Sequence, residues 1–215
     1  MPVLPEVDAD AEAIAAALSA HGACRIAGFP TIDLTHALRE DARRLWQDNA
    51  LARAAVGRGG THALRGDIRG DMTLWLDDAR CGDAARDYLR QLDALRVELN
   101  QRLFLGLAEV EAHYAAYPRG TGYMRHRDRF ADSDARVVSL VSYLNPAWQP
   151  GDGGKLRLHV GDSSVDIAPR DGSVCFLSEL EHEVLPAQRE RLSIAAWMRR
   201  SSSLHGLPRT RARSL

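Results

Sequence analysis

The hydrophobic pattern changes period partway along the chain. In the first half, apolar residues recur three and four positions apart. "DADAEAIAAALSAHG" (8–22) reads as a helix with Asp N-cap candidates, an alanine-rich body and Gly22 as its stop. "CRIAGF" follows as a short strand candidate. "DLTHALREDARRLWQ" (33–47) sets Leu34, Leu38, Ala42 and Leu45 near helical spacing. "GDAARDYLRQLDALRVELNQRLFLG" (82–106) predicts the longest helix, with Leu89, Leu92, Leu95, Val97 and Leu103 mostly inward.

After Gly106 the runs become short, alternating or β-branched: "AEVEAHYAAY", "RVVSLVSYL", "KLRLHV", "SVDIA", "SVCFL" and "RLSIAAWM", separated by Pro, Gly and Asp turns. Strands at this spacing predict a β-sandwich or barrel. Helices first and strands later predict an α+β, mainly β, chain in which helices support a β core, not alternating βαβ units. The expected organisation is one domain: N-terminal helices and leading strands over 1–106, a β-core over 107–200 and a basic tail over 201–215.

Composition narrows the classes. At 215 residues, 45% apolar and 27% charged, the chain has the make-up of an ordinary folded domain. A net charge of −1 and a pI near 6.7 argue against a nucleic-acid footprint. No apolar run approaches the roughly 20 residues of a membrane span, and "MPVLPEVDADAEA" has no apolar signal core. The expectation is therefore a cytoplasmic protein with neither membrane nor nucleic-acid partner. Cys24, Cys81 and Cys175 have no metal-site spacing and read as buried small hydrophobes. Among the 28 basic side chains only Lys155 is lysine, an arginine skew that points to a GC-rich bacterial genome.

Candidate chemistry begins at "MRHRDRF" (124–130). Alternation along a strand would turn Arg125, Arg127 and Arg129 to water and His126 and Asp128 the other way. His-x-Asp alone is weak evidence. Later come His182 and, in "RLSIAAW", Arg191. Two histidines and a carboxylate on one face of a metal leave open positions, the pattern of non-haem Fe(II) oxygenases. Such enzymes commonly use 2-oxoglutarate, whose distal carboxylate needs a cation, and a guanidinium meets it bidentately. Period two puts Arg191, Ser193, Ala195 and Trp197 on one face and Leu192, Ile194, Ala196 and Met198 on the other. His159 with Arg170 is the competing distal pair, ranked lower because Arg170 lies in the turn-like "APRDG". His21, His36, His62, His113 and His205 read as surface or structural.

"RGDMTLWLDD", "AYPRGTGYMRHRD", "VSYLNPAW", "GDGGKLRLH" and "RLSIAAWM" together resemble the 2-oxoglutarate/Fe(II)-dependent prolyl 4-hydroxylases of the oxygen-sensing (hypoxia-inducible-factor) type and their bacterial relatives, in order over about residues 60–199. The resemblance implies a double-stranded β-helix (a cupin-like jelly roll). It implies Fe(II) held by His126, Asp128 and His182, with 2-oxoglutarate and O2 as cosubstrates and ascorbate as reductant. Arg191, with Ser193, Tyr143 and Tyr117, would bind 2-oxoglutarate. Arg69, Asp71, Arg136 and Trp197 would organise the substrate entrance, Asp71 and Arg136 as an ion pair. The implied partner is a protein carrying a target proline, elongation factor Tu being the substrate the bacterial relatives suggest, and the implied state is a monomer. The "YPRGTGY" turn and "SELEHEV" are shorter than the family's common forms, and Ala195 replaces a frequent Thr; none of these touches the ligand positions. Three other readings are open: a small-molecule oxygenase acting on a free amino acid, a non-catalytic cupin-type metal module, and a nucleic-acid demethylase, which would need a second arginine where Trp197 stands.

Overall fold

The computed structural model describes residues 3–54, 68–129, 135–170 and 172–201. Among the described residues three α-helices precede the main run of strands. α1 (Ala11–His21) is capped by Asp10, whose carboxylate accepts from the Ala13 amide, and ends at Gly22 in the left-handed conformation. α2 (Ile32–Gln47) begins one residue earlier than the periodicity suggested, because Thr31 caps it through the Leu34 amide. α3 (Asp83–Leu103) buries Ala85, Tyr88, Leu92 and Leu99. Leu89, Leu95 and Leu103 pack at the margin of the core, but Val97 is 39% exposed and does not face inward as expected. Its neighbours Leu92 and Leu99 define the buried stripe, and Val97 falls outside it.

Among the described residues twelve strands form two sheets. The larger runs β1 (Glu6–Asp8), β2 (Ala23–Ala27), β10 (Ser173–Leu177), β7 (Arg136–Tyr143), β12 (Arg191–Arg200), β5 (Leu107–Tyr117), β4 (Met72–Trp75) and β3 (Ala52–Arg53). The smaller runs β6 (Tyr123–His126), β11 (His182–Val184), β8 (Leu156–Val160) and β9 (Ser163–Ile167). From β5 onward every connection crosses between sheets except the β8–β9 hairpin, which is the winding of a double-stranded β-helix.

The period of two explains why both faces of the larger sheet are buried. Tyr114, Ala116, Leu140, Leu192, Ile194, Ala196 and Met198 join the helices in one apolar cluster. Their alternates Ala115, Tyr117 and Tyr143 face the smaller sheet and join Leu156, Leu158 and Phe176 in a second. Polar side chains fix the helices to the sheet. Asp41 of α2 accepts from the Gly82 amide and the Tyr114 hydroxyl, each at 3.0 Å. Tyr88 of α3 shares a hydrogen bond with Ser142 of β7 at 2.9 Å. Cys24 and Cys175 oppose each other across β2 and β10 and, with Cys81, are buried free thiols. The positions of His62, His205 and the tail beyond residue 201 lie outside the described residues.

Candidate active site

The inner face opens into a cavity of about 240 Å3. Strand pairing assembles one end of it: His182 of β11 lies directly opposite His126 of β6. Asp128 falls two residues past the end of β6, in a bend, yet still reaches the same point. One ligand atom each from His126, Asp128 and His182 lies within 4.8 Å of the others, forming the metal-competent cluster found among the described residues. His126 Nε2 is 3.8 Å from Asp128 Oδ1, and His182 Nε2 is 3.5 Å from Asp128 Oδ2.

Hydrogen bonds set the tautomers. Nδ1 of His126 donates to the Met124 carbonyl at 2.7 Å, and Nδ1 of His182 to the Leu180 carbonyl at 3.0 Å. Each Nε2 is left with its lone pair turned towards the cluster, as a metal requires. Burial, reinforced by the neighbouring His182, pushes the His126 pKa down to about 4, so its imidazole is neutral. Burial alone would raise Asp128, but His182 and His126 hold it down at about 2, so it is a carboxylate. Ser139 donates to Asp128 Oδ2 at 2.7 Å and is itself bonded to Ser178 at 2.8 Å. Two imidazoles, each with Nδ1 on a backbone carbonyl, and one oriented carboxylate are the donor set of a facial iron site, and these residues fit it. Tyr123 stacks on His126 with ring centroids 3.6 Å apart.

At the other end stands Arg191, only 1% exposed. Its Nε donates to the Gly154 carbonyl at 2.9 Å and its Nη1 to Ser193 at 3.0 Å, while Nη2 is buried without a partner. β12 lies between β5 and β7, which sets Tyr117 opposite Arg191 and Tyr143 opposite Ser193. Both rings flank the guanidinium, at 5.0 and 5.5 Å. The Tyr143 hydroxyl is likewise buried and unpartnered. Burial raises its pKa to about 12, with Arg191 opposing the rise, so it remains a donor. Gly154 has to be glycine: its φ is +61°, and a Cβ would lie 2.9 Å from Ala187 and 3.3 Å from Arg191 Cδ. A buried cation with one free donor beside a free hydroxyl fits a carboxylate.

The mouth differs from expectation in one respect. Asp71 does not pair with Arg136; Arg69 holds it through two hydrogen bonds of 2.7 and 2.9 Å. Arg136 instead binds Glu111 at 2.8 Å and lies 3.6 Å over the Trp197 ring. The cause is local pairing. Gly70 donates to the Gly122 carbonyl and Met124 to that of Ile68, so "DIRGD" runs beside "GTGYM" and keeps Asp71 within reach of Arg69. Gly70 allows this approach, since a Cβ there would lie 2.6 Å from the Thr121 side chain.

His159 is not part of the cluster; its Nε2 contacts Glu183 at 3.2 Å. Arg125 and Arg127 are exposed and paired with Glu181, and Arg129 with Glu179. Three lining residues escaped sequence reasoning. Ser139 shares the alternating face of Tyr143, which could have flagged it. His113, taken as surface or structural, is 4% exposed and packs edge-on against Trp75, 5.2 Å away, and at the same distance from Trp197. Its Nδ1 donates to the Tyr114 carbonyl, leaving Nε2 to face Arg69 at 3.5 Å. Trp75 itself is 45% exposed at the rim.

Fold and donor set define a non-haem iron oxygenase that uses a keto-acid cosubstrate. A family model, the 2OG-Fe(II) oxygenase superfamily, matches residues 112–199. A prolyl-4-hydroxylase of Pseudomonas putida is 45% identical with a TM-score of 0.80, over 88% of this chain and 99% of that one. A Trichoplax adhaerens prolyl hydroxylase, solved in complex with a hypoxia inducible factor oxygen degradation domain peptide fragment, is 30% identical with a TM-score of 0.79, over 88% of each chain. A viral collagen prolyl hydroxylase of Paramecium Bursaria Chlorella virus-1, at 20% identity and a TM-score of 0.56 over 85% of this chain and 98% of that one, shares the fold. The chain belongs to the prolyl 4-hydroxylase family of the 2-oxoglutarate/Fe(II) oxygenases. It is a 2-oxoglutarate-dependent dioxygenase. No helix among the described residues is long and apolar enough to cross a membrane.

Proposed function

We propose that the enzyme hydroxylates a prolyl residue, at the 4-position, within a protein, turning 2-oxoglutarate into succinate and CO2. The observation that carries this reading is the pairing of two incomplete half-sites in one cavity, a His–Asp–His cluster and a buried arginine with an unbonded donor, beside which the Tyr143 hydroxyl is also unbonded. His126, Asp128 and His182 would hold Fe(II), which when bound supplies the oxygen chemistry. Arg191 would take the distal carboxylate of 2-oxoglutarate through Nη1 and Nη2, fixed in place by the Gly154 carbonyl on Nε. Ser193 keeps Nη1 oriented, the Tyr143 hydroxyl donates to the same carboxylate, and Tyr117 walls the guanidinium.

At the mouth, Arg136 held flat on Trp197, with Arg69 and Asp71 locked together beside His113, would position the prolyl ring over the metal cluster. Ser139 restrains the Asp128 carboxylate so that it cannot swing away from the histidines. A peptide substrate is supported by the Trichoplax relative, whose structure contains one. Elongation factor Tu is the first protein to test, with ascorbate as the reductant. The experiment incubates the purified enzyme with Fe(II), 2-oxoglutarate, ascorbate and either elongation factor Tu or a bacterial lysate, then maps +16 Da peptides by mass spectrometry. A modified proline that disappears without 2-oxoglutarate supports the reading. Hydroxylation confined to free amino acids would replace it with a small-molecule oxygenase.

A further inference from the structure

β5 alternates, and His113, Ala115 and Tyr117 on one of its faces all line the catalytic cavity. Tyr117 flanks the cosubstrate arginine, Arg191. His113 stands four residues away at the mouth, 4% exposed, with no task in the reaction described above. Across the sheet it opposes Trp75 on β4 and Ala195 on β12, with Trp197 on the diagonal. Both indoles engage the imidazole ring, each with centroids 5.2 Å apart. The polar edges are engaged as well. Nδ1 lies 2.9 Å from the Tyr114 carbonyl, which can only accept, so Nδ1 carries the proton. Nε2 lies 3.5 Å from Nη2 of Arg69, which can only donate. A neutral imidazole meets both demands with its one proton. Burial, followed by Arg69, favours that neutral form by lowering the pKa to about 4.

Arg69 is the group that this acceptor holds. Its Nε and Nη2 donate to the two oxygens of Asp71, whose side chain is fully buried. Nη2 carries two hydrogens, and the geometry gives one to Asp71 and the other to His113 Nε2. The guanidinium lines the cavity and lies 4.9 Å over the Tyr123 ring. Carboxylate, imidazole and phenol ring thus hold it from three sides. A prolyl residue has no backbone N–H and offers the mouth only carbonyl acceptors, so donors held in place there are what a proline-bearing chain can be read by.

We propose that His113 is a positioning residue for the peptide substrate: as the Nδ1–H tautomer it accepts from Arg69 through Nε2, fixes that guanidinium at the mouth, and so governs affinity for the proline-bearing chain and not for 2-oxoglutarate. This role rests on the prolyl hydroxylase reading of the cavity and adds to it the group that holds Arg69. The two tryptophans keep the imidazole from turning, and the Tyr114 carbonyl keeps its proton on the far edge.

The test compares wild type with His113→Phe, which keeps a ring between the tryptophans but has no acceptor, and His113→Gln, whose amide oxygen can replace Nε2. Circular dichroism checks folding, and His113→Leu takes the place of His113→Phe should that variant unfold. Multiple-bond proton–nitrogen NMR of the full-length protein at pH 7 reads the tautomer; Nδ1 should be protonated and Nε2 bare. Solvent exchange of the Arg69 Nε–H should quicken at least about ten-fold in His113→Phe, as loss of a hydrogen bond to a charged group implies, and stay near wild type in His113→Gln. Turnover is measured on a synthetic peptide spanning the proline mapped by mass spectrometry. The peptide KM should rise at least about ten-fold in His113→Phe, with kcat changed less than about two-fold, and His113→Gln should recover most of the loss. The 2-oxoglutarate Kd of the Mn(II)-loaded protein should be the same in all three. A protonated Nε2, Arg69 exchange or peptide KM indifferent to His113→Phe, or a matching loss of 2-oxoglutarate affinity would overturn the proposal. If wild type modifies no proline, the prolyl reading falls and the peptide role with it, while the tautomer and Arg69 exchange still decide whether His113 holds Arg69.

Discussion

The two ends of β12 each bury an arginine, and they do so to opposite effect. Arg199, 3% exposed, is matched by carboxylates, with Nη1 at 3.0 Å from Glu111 and 3.3 Å from Glu109. Arg191, 1% exposed, has no carboxylate partner among the described residues; its ligands are a backbone carbonyl and a serine hydroxyl. Burial of a guanidinium is costly wherever it occurs. At Arg199 the protein offsets that cost itself, and the group ties β12 to β5 and, through Glu111, to Arg136 at the mouth. At Arg191 the compensation is missing, which is what a receptor for an external carboxylate must look like. The identity and depth of a buried residue therefore say little about its role; the charge balance around it says more.

The largest test removes the purpose of that receptor. His126→Ala, Asp128→Ala and His182→Ala should each abolish Fe(II)-dependent succinate production while the circular dichroism spectrum stays folded, since each takes away one facial ligand. Activity surviving in His182→Ala but lost in His159→Ala would reassign the distal histidine.

Next comes the comparison itself. Arg191→Ala should raise the 2-oxoglutarate Kd at least about thirty-fold, because truncating one member of a desolvated charge pair costs roughly 2–5 kcal/mol. Arg191→Lys should recover only part, as an ammonium cannot reproduce the planar fork. Arg199→Met should do the reverse: about 1–2 kcal/mol lost in urea unfolding, from removing one of the two guanidinium partners of partly buried Glu111, with the Kd unchanged. Calorimetry on the Mn(II)-loaded enzyme without oxygen reads the binding arm. Similar Kd changes in both variants would erase the distinction between the two arginines.

Tyr143→Phe sharpens the picture at smaller scale. Loss of one hydroxyl donor should cost about 0.5–1.5 kcal/mol of 2-oxoglutarate binding, or up to about 3 if the acceptor is a full carboxylate. No change would mean that the unpartnered hydroxyl faces away from the cosubstrate.

The smallest effect is on pH dependence. Burial, then Arg69, lowers the His113 pKa from 6.5 to about 4. Between those values the unfolded chain carries a proton that the folded chain lacks. Stability from this group is therefore complete above pH 6.5 and is lost as the pH falls towards 4. His126, shifted the same way by burial, adds to the effect in the metal-free protein. Urea unfolding of wild type and His113→Gln at pH 7 and pH 5 should show a smaller acid penalty in the variant. An identical penalty would show that His113 titrates normally in the fold.

Much of this was readable along the chain. The shift from helical to alternating periodicity announced helices supporting a β core, and caps such as Asp10 and Gly22 marked where α1 starts and stops. His126 and Asp128, and Arg191 and Ser193, could be paired because strand alternation places i and i+2 on one side. Local rules of this kind depend only on neighbours in sequence, so the sequence by itself determined them.

What it left undecided were contacts between distant segments. That Asp71 belongs to Arg69 and Arg136 to Glu111 follows from "DIRGD" lying beside "GTGYM" and β5 beside β12. The same holds for Ser139 steadying Asp128, the Gly154 carbonyl anchoring Arg191, and His113 packing between two tryptophans at the mouth. Which charge neutralises which is settled by Coulomb interactions and hydrogen bonds over a few ångströms, and only the register of the two sheets decides which side chains come that close.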